Sequence, residues 1–271
     1  MSIQQNFPRP PPDMYKWVQA AKRLNRSSET MCWMYDLHDS MSCGTEYAHG
    51  SWGYTVLRTT YSEEADAVWP AALEKLNRWV AKYVVHYPRL MQGRTDTTVE
   101  DELARRFILE IVDNKELEDL QLPDMAKASQ DDIKSLTSIF EAWRSQAIND
   151  ADFDSRLNTR FLDFLIIDEP SLRSLASLPD ETIPLGPVTR QERRAQAKFY
   201  EDAYVWLIDS QAVGRYQGIN DVYNYNGLMK LELINIPDAW FERVPRFDDE
   251  CHIFERGKAP DGSGDLWYRP R

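Results

Sequence analysis

Apolar positions along the chain alternate between two rhythms. The run Trp52-Gly53-Tyr54-Thr55-Val56-Leu57-Arg58-Thr59-Thr60-Tyr61 is aromatic and β-branched, which predicts a strand. Behind it Ala65, Val68, Ala72, Leu76, Trp79 and Tyr83 recur three or four apart, placing one apolar face on a helix over 63–84. The strand-then-helix unit repeats. Residues 106–113 predict a second strand, and Ile133, Leu136, Phe140, Trp143 and Ala147 line a second long helix. Residues 161–168 predict a third strand, leading into a short helix with Leu172, Leu175 and Leu178; Asp168 sits at its N-cap and Pro170 in its first turn. Two further strands are expected, at 204–209 and, alternating Met229, Leu231 and Leu233 against Lys230 and Glu232, at 228–234. Pro237 then opens a short helix with Trp240 and Phe241.

Outside these units, residues 1–12 read as a flexible Pro-rich lead, and Met14, Trp17, Val18, Ala21 and Leu24 mark a first helix over about 13–25. Residues 25–51 show no sustained period and are expected to be irregular. A solvated helix is expected over 191–198, a loop over 214–227, and a turn with an edge strand over 257–268. Glu110, Asp163 and Lys230 interrupt strands that a doubly wound parallel sheet would keep apolar. The predicted fold is therefore a single α+β domain over 1–271. It is built on a mixed, mostly antiparallel sheet of about five or more strands with helices mainly on one face, ferredoxin-like in kind, and with Trp79, Phe140 and Leu207 in a shared interior.

Composition narrows the function classes. The 271 residues carry a net charge of -12, which opposes contact with phosphate backbones, so no nucleic-acid partner is expected. No apolar run approaches the roughly 20 residues that span a bilayer, and the first residues lack the charged and apolar regions of a signal peptide. No membrane partner and a cytoplasmic location are expected. The three cysteines, Cys32, Cys43 and Cys251, are expected as reduced thiols. Nine Trp, thirteen Tyr and ten Phe supply material for recognising flat or apolar ligands.

Several constellations have both a chemical and a plain structural explanation. Cys32, His38, Cys43 and His49 are of zinc-ligand type, but their gaps lack the close pairs of a zinc finger, so no metal is expected. Asp113, Asp168 and Asp209 each close a predicted strand. They would converge at one sheet edge if those strands were parallel neighbours, whereas strand-to-helix junctions also favour Asp as a cap. Arg58, inside an otherwise uncharged strand, calls for an internal carboxylate (Asp163, Glu110 or Glu232) or for a ligand anion. His86 at a helix end is explained by the helix dipole, and His252 beside Cys251 would point away from it. Tyr216, Tyr223 and Tyr225, interleaved with Asn in one loop, together with Trp52 and Tyr54, are candidate ligand contacts. No phosphate loop, nucleophile elbow or metalloprotease helix occurs, so no cofactor is expected.

The blocks Trp52-Gly53-Tyr54 to Arg58-Thr59-Thr60-Tyr61, Arg160-Phe161-Leu162-Asp163-Phe164 to Asp168-Glu169 to Leu172-Arg173-Ser174-Leu175, Tyr204-Val205-Trp206-Leu207-Ile208-Asp209 and Gly227-Leu228-Met229-Lys230-Leu231 are familiar in their order. Over about 50–245 the chain resembles a large group of filamentous-fungal intracellular proteins. The resemblance implies a fungal intracellular protein and carries no activity. The functional expectation is a small-molecule-binding protein of fungal metabolism with a pocket between the sheet and residues 25–51 and 214–227. Cofactor-independent acid/base chemistry of lyase, isomerase or cyclase type would fall to Asp168, Asp209 and Arg58. The alternative is a non-enzymatic interaction or regulatory protein.

Overall fold

Residues Asp163–Ile167 form an inner strand of the sheet, every one of them buried. The computed structural model describes residues 11–23, 29–42, 50–88, 96–147, 159–183, 189–192, 194, 202–213, 227–243, 256–258 and 264–270. Among these, seven strands form one sheet: β1 (Thr55–Arg58), β2 (Glu110–Val112), β3 (Asp163–Ile167), β4 (Tyr204–Asp209), β5 (Leu228–Glu232), β6 (Arg256–Lys258) and β7 (Leu266–Tyr268). Their order is β2-β1-β3-β4-β5-β7-β6. β1 is parallel to β2 and β3, and β5 to β7; β3–β4, β4–β5 and β6–β7 are antiparallel. The sheet is thus mixed, with its antiparallel pairing gathered in the β3–β4–β5 half and the β6–β7 pair.

Strand alternation sends Leu165 and Ile167 to one face and Phe164 and Ile166 to the other, and each face has its own apolar cluster. Six helices meet the first: α1 (Pro12–Arg23), α2 (Glu29–Ser42), α3 (Glu63–Trp79), α4 (Thr98–Arg105), α7 (Glu169–Ala176) and α8 (Ile236–Arg243). The second is covered by α5 (Lys115–Asp119) and α6 (Gln130–Ala147), with Phe140 stacked on Phe164 at 4.5 Å between ring centres. Burial on both sides explains why β3 is apolar at every position after Asp163. Trp79, Phe140 and Leu207 are all buried, but Phe140 lies across the sheet from the other two.

The helix stripes are mostly as the sequence suggests. Ser62 caps α3 by accepting the Ala65 N–H, and Ala65, Trp69, Ala72, Leu76 and Trp79 form its buried row. Val68 is instead 36% exposed, because Trp69 continues the row and its neighbour is turned about 100° away. The segment expected to be irregular contains α2, which buries Thr30, Met31, Trp33, Met34 and Leu37. Strands β1 and β2 are shorter than expected, and the strand expected over 228–234 ends at Glu232 in a short 3-10 turn. The helix expected over 191–198 is helical at 190–192 and 194, and the rest of it, like the lead over 1–10, lies outside the described residues. No described helix is long and apolar enough to cross a membrane.

The internal Lys230 of β5 has a specific use. Its Nζ lies 4.4 Å from the Tyr204 ring, 5.0 Å from Trp206 and 5.4 Å from Trp267, and pairs with Asp265 at 2.7 Å. Cation–π attraction and an ion pair thereby fix β7 to β5, where the strands share the single register pair Lys230 and Trp267.

Gly53, just before β1, adopts φ +116, and a Cβ there would stand 2.2 Å from the Ile108 carbonyl oxygen. Its own carbonyl accepts the Trp240 indole N–H at 3.0 Å, so this close approach joins α8 to the sheet. Gly53→Ala is expected to cost roughly 2–5 kcal/mol through strain and overpacking. A denaturant midpoint within error of wild type would remove that explanation.

Candidate functional site

The three strand-end aspartates do not converge. β1, β2 and β3 run parallel, which brings Asp113 and Asp168 to the same edge, but β4 runs against β3 and carries Asp209 to the other end. Asp168 is fully buried as the N-cap of α7: one carboxylate oxygen accepts the Ser171 N–H, and the other accepts Met125 N–H at 2.8 Å and Trp206 Nε1–H at 2.9 Å. Its oxygens are occupied by the fold. Arg58 is likewise engaged, but by carboxylates other than those expected. It pairs with Asp66 and, at 3.5 Å, with Asp113, donates to the Thr60 carbonyl at 2.8 Å, and lies over the rings of Tyr61 and Trp69. The crevice between the carboxyl ends of β1 and β3 is closed by the Thr60 hydroxyl donating to Glu169 at 2.6 Å.

Trp52 and Tyr54 are buried rather than facing an opening. Trp52 donates to the Leu103 carbonyl at 2.7 Å and packs on Phe107 and Phe241. Tyr216, Tyr223 and Tyr225 lie outside the described residues, as do Cys43, His49, Cys251 and His252. Cys32 and His38 are six residues apart on α2 and so point in directions about 120° apart; the His38 ring stacks on Tyr15. His86 bonds the Ala81 carbonyl at 3.1 Å and Asp101 at 2.9 Å, a structural position. Among the described residues no group of three or more His, Cys, Asp or Glu could hold a metal ion.

Asp209 belongs instead to a buried polar row. Asp163 pairs with it across β3 and β4, and Tyr54 extends the row on the β1 side. Arg243, the last residue of α8, caps it: Nε stands 3.4 Å from Asp163 Oδ2, and a terminal nitrogen 3.7 Å from Asp209 Oδ1 and 2.9 Å from the Gln211 amide oxygen. None of Asp163, Asp209 and Arg243 exceeds 1% exposure. Burial raises the Asp163 carboxyl well above the usual range, opposed by Arg243 and reinforced by Asp209. Burial, followed by the charge of Asp163, raises the Tyr54 hydroxyl as well.

On its outer side α8 borders a cleft of about 220 Å³, shared with α2 and β7. Glu29 and Asp36 from α2 and Asp238 and Glu242 from α8 place four carboxylates around it. Trp33 and Phe241, stacked with ring centres 5.4 Å apart, and Tyr268 add aromatic surface, and among the described residues no basic side chain lines it. The Tyr268 hydroxyl donates to Glu242 at 2.7 Å, closing the inner wall towards the buried row. Asp238 is pushed up to about 8, chiefly by burial, then by the charge and hydrogen bond of Glu29 and by Glu242. A carboxyl that titrates near neutrality in a cleft is suited to exchanging protons with a bound molecule.

The α2 wall lies within residues 25–51, where a pocket was expected from sequence, but its carboxylates and the α8 wall were not recognised, although both walls carry a signal. Asp238 and Glu242 are four apart, and Glu29, Trp33 and Asp36 fall at i, i+4 and i+7, so each helix shows an acidic stripe beside an aromatic one.

Because Asp168 holds three buried donors, Asp168→Ala is expected to lower stability by about 3 kcal/mol. Loss of less than about 1 kcal/mol in a denaturant titration would contradict the capping role. Comparison with protein-family models, with curated proteins and with solved structures gives no match.

Proposed function

We propose that the chain is a small-molecule-binding protein of fungal metabolism and that the cleft between α2, α8 and β7 receives an organic cation. The observation that carries this reading is the lining itself: among the described residues, four carboxylates and three aromatic side chains face the cleft. An ammonium group would relieve the opposition of Glu29 and Glu242 to the charge of Asp238, and its alkyl part would lie on Trp33 and Phe241. Cation–π contact contributes about 0.5–2 kcal/mol to such recognition. The net charge of -12 would also draw a cation towards the protein.

Asp238 is the residue for acid/base chemistry in this reading. Held near 8 by burial and by Glu29, it is protonated in most of the molecules at neutral pH and can give up or accept a proton beside the ligand. Asp209, Asp168 and Arg58 act as structural groups in this reading, and Asp238 with Glu29 takes the place assigned to them from sequence.

Putrescine, compared with uncharged 1,4-butanediol by isothermal titration calorimetry, tests the proposal. Putrescine is expected to bind and the diol not, and Asp238→Asn is expected to weaken putrescine about tenfold, the loss of one partly buried ion pair. Asp238 must be ionised to meet the ammonium. Affinity should therefore rise with pH, by about tenfold in all, until it levels above about 8. Equal binding of the diol, or affinity that falls as pH rises, would sink the reading. Binding of a lysine-bearing peptide with none of putrescine would favour an interaction protein that docks a basic partner.

A further inference from the structure

The row behind the cleft holds a carboxyl in a place that disfavours its charge. Asp163 lies directly opposite Asp209 on β3 and β4, and the Arg243 guanidinium reaches both. Asp163 is sealed from solvent beside a second carboxylate, which makes its ionised form costly, and a protein relieves that cost by taking up a proton.

Hydrogen bonding says which carboxyl takes it. Asp209 Oδ1 accepts the backbone N–H groups of Gln211 at 3.0 Å and Ala212 at 3.2 Å, donors that favour the ionised form. Asp163 has no hydrogen-bond partner at either oxygen among the described residues, and neither does the hydroxyl of Tyr54 beside it in the row. We propose that Asp163 keeps its proton in the folded protein at neutral pH while Asp209 carries the charge, so that Arg243 docks α8 by a proton-dependent latch. The titratable and charged groups around the row are Arg243 and Glu242 from α8, Asp209 from β4, Tyr54 from the approach to β1 and Tyr268 from β7.

The linkage has a definite sign. An unfolded Asp titrates near 3.8, and the folded Asp163 titrates higher, so between the two values the folded state binds one more proton than the unfolded state. Each pH unit gained in that window therefore lowers the folding equilibrium constant by up to about tenfold. The same latch holds the helix that carries Asp238 and Glu242. That consequence rests on the cleft reading, whereas the proton on Asp163 does not.

Denaturant titrations of the full chain between about pH 5.5 and 8 test the latch. Asp163→Asn, which mimics the protonated acid, is expected to remove about one proton from the slope, a tenfold smaller change per pH unit than wild type. An unchanged slope would overturn the proposal. If Asp163→Asn does not fold, the infrared carbonyl band of a protonated carboxyl at neutral pH is read in the Asp238→Asn protein, which lacks the other carboxyl raised among the described residues, as the part of the band that Asp163→Glu shifts. A band there supports the latch, and its absence overturns it. Putrescine titration of the same Asp238→Asn protein reports on the cleft separately, so failure of one reading does not mask failure of the other.

Discussion

The guanidinium of Arg243, set between Asp163 and Asp209, is the contact on which the arrangement of this protein turns. It is a charged group in a closed interior, and such a group is tolerated only when its partners are in place. Those partners come from two strands of the central sheet, so the last turn of α8 is registered against β3 and β4 at one height. Trp240, one turn earlier, repeats the registration through the Gly53 carbonyl. The opposite side of α8 then has no freedom of placement, and it is that side which forms one wall of the acidic cleft. The geometry of an exposed site is in this way fixed from a buried one, with α8 as the rigid element between them.

The rest of the sheet supplies the frame. Residue alternation lets β3 and β4 feed two apolar clusters at once, and the buried layers hold the row in a medium of low polarity where a proton or a charge matters most. Two of the charged residues within strands face tertiary partners. Lys230 is held by three rings and Asp265, and Asp163 faces Asp209 and Arg243. Strand interruptions that argued against a parallel sheet are therefore tertiary contacts of a mixed one.

Much of this frame was legible in the order of residues because it follows from single periodicities. The α3 stripe and the apolar run of β3 need no knowledge of distant partners. α2 was missed because its buried arc includes Thr30, whose hydroxyl is satisfied by Glu100 at 2.5 Å, and because Trp33, Met34 and Leu37 are interleaved with Cys32, Asp36 and His38. A polar residue buried through a partner 70 positions away breaks the stripe that a local reading relies on. Strand direction was equally out of reach. Asp209 was legible as a strand end, but its partners Asp163 and Arg243 depend on β4 running against β3 and on α8 returning over the sheet. The cleft needed one further step, the pairing of two acidic helix faces separated by nearly the whole chain.

Arg243→Met, which keeps an apolar stem of similar length and leaves every cleft residue in place, tests the dependence of the outer site on the inner contact. The account expects faster backbone hydrogen exchange across Ile236–Arg243 and loss of putrescine binding in a protein that still folds. Wild-type exchange protection in that helix with undiminished binding would contradict it.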